Sequence, residues 1–430
     1  MDTTTNTYLA GNFAPVTEEV TALDLEVTGM IPDGLDGRLL RNGPNPHLPV
    51  ERPESYHWFT GAGMVHGLRL RAGRAEWYRN RWVGAAEGFT PNTNVIGHAG
   101  RTWAIVESGP PPVELDDELE SLGVNGFDGA VDEGYTAHPK RDPRTGDLHA
   151  VSYLWAWDHL RYTVIGTDGR LRREVRVPVE GGPMVHDCAI TENHVVLFDL
   201  PVTFDLDAAM VGTTFPYAWN PDHGARVGLL PRDGDADAVR WFDVGLCYVF
   251  HSLNAHETPS GDVVVDVVRH PRVFDRDRLG PNDGATRLER WTIDPVAGKV
   301  SEETLDDTSV ELPRHDERLL GQPYRYGYAM EAGDGFAHGG AVKYDLQSGT
   351  TERHDFGAGR MTLEPVFVPR SADAGEDEGW ILSYVYDAAT DRSDVVILAA
   401  DDFTGDPVAT IHLPQRVPFG FHGNWVPTAG

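Results

Sequence analysis

The chain is poor in lysine, cysteine and long apolar runs, and each scarcity removes a class of function. Lysine occurs only at positions 140, 299 and 343, so arginine supplies nearly all the positive charge. Asp and Glu outnumber Lys and Arg by 67 to 36, giving a formal net charge of −31 over 430 residues. A field of that sign repels phosphate backbones and anionic headgroups, which argues against a nucleic-acid binder or a polybasic membrane anchor. Two cysteines, Cys188 and Cys247, are too few for a disulfide framework or a thiolate metal cage. No run reaches the roughly 18 apolar residues that a spanning helix needs. The N-terminal MDTTTNTYLAGNFAPVTEEV shows neither the basic start nor the apolar stretch of a signal peptide. A cytoplasmic protein is expected.

Amphipathic helical pattern is also scarce, and its best instance is the short ELDDELESL at 114–122. In its place are short β-rich runs: HAVSYLWAW, HVVLFDLPV, DVVVDVVRH, RLERWTI, GWILSYVYD and VVILAAD. They are separated by turn sequences such as RTGD, TPSGD, DPVAGK, DLQSGT and DFTGDP, in which Gly, Asp and Ser carry the turn chemistry. Strands recurring over the whole length, with no boundary at which to divide them, predict an all-β protein of one domain spanning 1–430. A propeller of six or seven blades, at about 60 residues each, fits that rhythm.

Of the 18 histidines, four sit in unusual local settings: His138 in TAHPKRD, His186 in PMVHDCA and His251 in CYVFHSLNAHE, each before or leading into a strand, and His422 in FGFHGNW. The steps from 138 to 186, from 186 to 251 and from 251 to 422 are close to one, one and three blades. A propeller brings its inner strands to one axis, so four neutral imidazoles could converge there and suit Fe, Cu, Zn or Ni. Spacing alone leaves a second reading open, four unrelated structural histidines. His256 is five residues from His251 and faces the other side of a strand. His194, eight residues from His186, is too far along a strand to share an ion. Cys188 is read as a small core residue, and Asp187, pointing away from its neighbour His186, as structural.

Taken together these settings resemble the carotenoid cleavage oxygenase family, which includes retinoid isomerases and lignostilbene dioxygenases. The likeness runs from GRLLRNGPNP (37–46) through HWFTGAGMVHGLRL (57–70), ELPRHDERLLGQPYRYGYA (311–329) and LEPVFVPR (363–370) to FGFHGNW (419–425). It implies a seven-bladed propeller with a loop and short-helix cap, and one non-haem Fe(II) held by His138, His186, His251 and His422. It further implies that Glu107, Glu311 and Glu364 accept hydrogen bonds from the outer nitrogens of three ligands, which fixes their tautomer and orientation. The implied reaction is cleavage of a C=C bond by O₂ into two carbonyl fragments. No catalytic acid or base beyond the metal centre is expected.

In the lignostilbene branch a Lys and a Tyr hold the substrate's phenol. The matching positions carry Val106 and, in RNRWVG, Trp82, so an apolar polyene such as an apocarotenoid or carotenoid is expected. Val106, Trp82, Phe250 and Phe421 are the expected pocket residues, and Trp155, Trp157, Trp219 and Phe419 are further aromatics for a tunnel. Two alternatives stand beside this reading. One is cleavage of a stilbene or other alkenyl-aromatic, and the other is a non-catalytic, metal-containing propeller that binds without reacting. GAGMVHG (61–67) resembles a dinucleotide fingerprint but has His66 at the third glycine position and no βαβ context. The loop 205–219, DLDAAMVGTTFPYAW, is only moderately apolar, so transient membrane contact is the most expected of it.

Overall fold

The computed structural model describes residues 6–84, 89–281, 283–333 and 338–428. Among these residues, seven antiparallel sheets form the blades of a propeller, and one two-stranded hairpin lies outside them. The all-β propeller expected from the strand rhythm is the observed fold, with seven blades. The innermost strands of blades 2 to 6 are Asn94–His98, Lys140–Arg141, Cys188–Ile190, Tyr248–Glu257 and Val310–His315. Blade 7 presents Arg360–Thr362 and Val366–Pro369.

Blade 1 is closed by the far end of the chain. Gly423–Pro427 pairs antiparallel with Gly37–Pro44, from Gly37↔Pro427 to Arg41↔Gly423. A second closure runs the other way, with Val27–Gly29 adding to blade 7 through Ala409–His412. Each end of the chain thus completes a blade built mainly from the other.

Burial falls from the axis outward. Every residue of Gly37–Pro44 is buried, whereas no residue of the outer strand Lys299–Asp306 is. The excess acidic charge follows that gradient, as KVSEETLD shows. Apolar faces pack between neighbouring blades, for instance Val151, Leu197, Val263 and Trp291 in one cluster and Leu39, Leu68, Leu382 and Ile411 in another. Each such side chain contributes about 1.5–3 kcal/mol by leaving water.

The Asp-to-Gly turns share one chemistry. In Asp294–Gly298 the aspartate Oδ1 accepts from the amides of Val296 and Ala297, and Gly298, at φ 69°, donates to the Asp294 carbonyl. Asp345–Gly349 repeats the pattern with Gln347 and Ser348 and with Gly349 at φ 71°. Only glycine adopts that backbone without strain.

The segment 114–122 is not the helix that its pattern suggests. Val113–Leu115 and Ser121–Val124 are adjacent strands of blade 2, and Asp116 turns the chain between them. Its Oδ1 accepts from the amides of Glu118 and Glu120, a local bond that competes with helix formation. Leu115 and Leu119 are both buried, which the hairpin satisfies as well as a helix would.

Over one end of the axis lies a cap of short elements. It includes the 3₁₀ turns Gly11–Phe13 and Trp58–Thr60, and the hairpin Val202–Phe204 with Tyr217–Trp219. A one-turn helix, Leu206–Met210, joins the hairpin's strands and is capped by Asp205, whose Oδ1 accepts from the Ala208 amide. Among the described residues no helix is long and apolar enough to cross a membrane.

Candidate metal centre

His138, His186, His251 and His422 meet on the propeller axis, all buried. His138 and His186 stand two residues before the inner strands of blades 3 and 4, His251 lies within that of blade 5, and His422 precedes the closing strand of blade 1. Their Nε2 atoms stand 2.9 Å apart between His138 and His186, 3.2 Å between His186 and His251, and 3.1 Å between His251 and His422. Two imidazole nitrogens about 2.1 Å from one ion, at right angles to each other, lie about 3.0 Å apart. The four nitrogens fit the coordination sphere of a single ion.

Close backbone approach places His422. Gly43 and Gly420 pack Cα against Cα where the RNGPNP and FGFHG segments cross, and a Cβ on either would lie within 3 Å of the other. At Gly423 a Cβ would overlap the Leu40 carbonyl oxygen across the closing strand pair. Gly423→Ala is therefore expected to destabilise the protein by about 1–3 kcal/mol in urea unfolding and to lower its metal content. An alanine variant as stable and as metal-rich as the parent would show that this contact does not set the histidine's position.

Three carboxylates stand behind the imidazoles, one each from blades 2, 6 and 7. His251 Nδ1 donates to Glu311 Oε2 at 2.5 Å, and His422 Nδ1 donates to Glu364 Oε1 at 2.9 Å. His186 Nδ1 lies 2.8 Å from Glu107 Oε2, but off the line of a hydrogen bond, so the bond expected of Glu107 is not made in this geometry. The carboxylates have further partners. Glu311 Oε1 accepts from His270 Nε2 at 2.5 Å, while Glu364 meets the Arg314 guanidinium at 3.3 Å and the Gly423 amide at 2.7 Å.

Burial alone would raise Glu311, but His251 and His270 hold it well below the usual carboxylate range. Burial acts the same way on Glu364, and Arg314 with His422 hold it at about 2. Burial drives His138 well below its ordinary value, helped by the other three imidazoles, and takes His422 down to about 4 against the pull of Glu364. At these two positions the neutral imidazole carries a free lone pair, whereas at His251 the lowering by burial is outweighed by Glu311, which raises it. Three buried carboxylates behind the four imidazoles, with the Arg314 and Arg41 guanidinium groups near Glu364 alone, favour a cation at the cluster.

On the cap side His186, His251 and His422 face a cavity of about 950 Å³, walled by Phe59, Val106, Phe215, Phe250, Met330 and Phe421 among others. Val106, Phe250 and Phe421 sit on this wall, and Trp155 lines it while remaining 56% exposed near the mouth. Trp82 does not line it. The Trp82 ring packs edge-on at 4.3 Å against His47, which does, and its indole N–H donates to the Asn45 carbonyl. Trp157, Trp219 and Phe419 are also absent from the wall: Trp157 lies under the Arg161 guanidinium and Phe419 packs on Phe13. The segment 205–219 forms part of the mouth, with Leu206 and Met210 lining the cavity and largely exposed.

The other sequence candidates have structural partners. His66 bonds the Tyr78 hydroxyl, His194 pairs with Glu257, and Cys188 is a buried core residue. Asp187 accepts from the Cys188 amide and from the Ser252 amide and hydroxyl, and pairs with Lys140 at 2.8 Å. His256 stands outside the cluster, beside Tyr324. His270 and Arg314 were not singled out by sequence. The signal for His270 is hairpin register, since pairing Tyr248 with His270 brings it beside the His251 strand.

Fold and centre together define a seven-bladed propeller with a four-histidine metal-binding group on its axis. The chain belongs to the carotenoid cleavage oxygenase family, which places it among oxygen-incorporating oxidoreductases. The family model described as retinal pigment epithelial membrane protein matches residues 13–427. A carotenoid cleavage oxygenase of Mycobacterium tuberculosis is 45% identical, the match covering 98% of each chain. The crystal structure of Pseudomonas brassicacearum lignostilbene dioxygenase superposes with a TM-score of 0.90 at 30% identity, covering 98% of both chains. A cobalt-substituted Synechocystis ACO gives a TM-score of 0.86 at 27% identity, covering 96% of this chain and 97% of that one.

Proposed function

We propose that the protein is a non-haem Fe(II) dioxygenase that cleaves one C=C bond of an extended apolar polyene, an apocarotenoid or carotenoid, into two carbonyl products. His138, His186, His251 and His422 hold the iron, Glu311 and Glu364 orient two of them, and Glu107 stands beside His186. Iron, when bound, supplies the site at which O₂ reacts. The chain's own part is to bind, align and keep dry. Phe59, Phe250 and Phe421 confine the polyene beside the imidazoles, and Val106 offers it no polar partner. Tyr153 also lines the cavity, but burial and the nearby Glu107 keep its phenol neutral, so it is no base. Incorporation of both oxygen atoms needs no net proton transfer.

The observation that carries this reading is the apolar cavity against the Nε2 cluster. Its volume, about 950 Å³, stands at the upper end of the roughly 300–1,000 Å³ of small-molecule sites. A long hydrocarbon gains about 25 cal/mol per Å² buried there. Uptake is through the mouth at Leu206 and Met210, with membrane contact no more than transient.

Cleavage of a stilbene or alkenyl-aromatic is the second reading, favoured by the likeness to the lignostilbene dioxygenase and by the aromatic wall. The deciding measurement is kcat/KM of iron-loaded protein for an apocarotenal and for 4-hydroxystilbene in one detergent, with the aldehydes identified by mass spectrometry. The apocarotenal is expected to win by about tenfold or more. Preference for the stilbene would replace the first reading with the second. Stoichiometric iron with no aldehyde from either would favour a binding protein.

A further inference from the structure

The histidines have a second open side. Away from the cap, the inner strands enclose an axial channel of about 150 Å³ whose wall contrasts with that of the substrate cavity. His251 and His422 border both spaces, His186 borders only the cavity, and His138 only the channel. The channel is lined by Asn94, Lys140, Asp187, Arg314, His315 and Glu317, with Asn424 beside them. Its fixed cations are engaged: Lys140 pairs with Asp187 at 2.8 Å, and Arg314 with Glu317 at 2.6 Å and Glu364 at 3.3 Å. Arg141, also on the wall, bonds His98 and the Gly97 carbonyl. One donor is left over. His315 is 7% exposed, and its Nε2 is buried with no hydrogen-bond partner among the described residues.

We infer that the axial channel is the route by which a hydrated divalent cation reaches and leaves the four histidines. The inference rests on the metal-centre reading above. A divalent ion gives up its water only where other oxygen or nitrogen donors replace it. The cavity side offers mainly aromatic and aliphatic walls, and substrate fills it in turnover. The channel offers carboxylates, amides and the His315 imidazole along the approach to His138, and Glu317, 58% exposed at its side chain, stands toward solvent. A net charge of −31 draws cations to either entrance, so the polarity of the path, and not the long-range field, selects between them.

The test follows Co²⁺ entering the metal-free protein and its release to a chelator, both read from the visible absorption of the histidine-bound ion, with no need for turnover. Leu320→Trp and, on the opposite wall, Ile96→Trp each narrow the channel. Each is expected to slow uptake and release alike by an order of magnitude or more, leaving the equilibrium affinity unchanged. A damaged ligand set would instead weaken affinity. Filling the cavity with a saturated C20 hydrocarbon in the parent protein is expected to leave both rates within twofold. Two results overturn the inference: unchanged rates in both folded tryptophan variants, or exchange blocked by the hydrocarbon. Failure of the parent to bind cobalt at all would instead remove the metal-centre reading, and this inference with it.

Discussion

Replacing His251 by alanine is expected to leave a folded protein with almost no iron. The four Nε2 atoms lie within 4.8 Å of one another, so each is a large share of a small coordination sphere. His251 stands next to both His186 and His422, at 3.2 and 3.1 Å, and its loss opens the sphere to the cavity and the channel together. It also leaves Glu311 with one histidine in place of two. Iron per chain by elemental analysis, with circular dichroism to check folding, reads the result. His256→Ala is the matched control, a histidine on the same strand but outside the cluster, and it should retain its iron. Full iron in His251→Ala, or its loss in His256→Ala, would move the third ligand elsewhere.

Glu311→Gln is expected to weaken iron binding by roughly 10–100-fold while the protein stays folded. The reason is donor and acceptor arithmetic. The two carboxylate oxygens accept from His251 Nδ1 and His270 Nε2, and Oε2 also accepts from the Leu312 amide. A glutamine has one acceptor oxygen and one amino group, so one histidine must face a donor. If that histidine changes tautomer to escape the clash, His251 presents a protonated Nε2 to the metal. If His270 gives way instead, the loss falls toward the lower limit. Competition with a calibrated chelator measures the effect. Affinity equal to the parent's would mean that the carboxylate charge behind His251 does nothing for the ion.

Much of the centre can be read from sequence because its residues sit in short, locally distinctive strings. TAHPKRD, PMVHDCA, CYVFHSL and FGFHGNW each place one histidine just before an inner strand or within it, and blade spacing relates them. The glycines of RNGPNP and FGFHGNW are legible singly, but their mutual contact is not, because it joins residues nearly the whole chain apart. His270 and Arg314 are hidden for the same reason: each matters through a carboxylate on another blade. Trp82 shows the opposite failure. Its place beside the pocket in sequence is real, yet His47 stands between it and the cavity. ELDDELESL misleads because its leucines suit a hairpin or a helix, and a single aspartate turning back on two amides decides between them.

The axis draws one side chain from every blade: His422 from blade 1, Glu107 from blade 2, His138, His186 and His251 from blades 3 to 5, Glu311 from blade 6 and Glu364 from blade 7. In an open repeat array a unit can be gained or lost with only its neighbours affected. This ring has no spare unit. Losing one blade would delete a specific donor or acceptor, and gaining one would turn the rest out of register about the axis. The blade number is held by the chemistry at the hub as well as by the packing between blades, so the architecture is free to drift at its rim and bound at its centre.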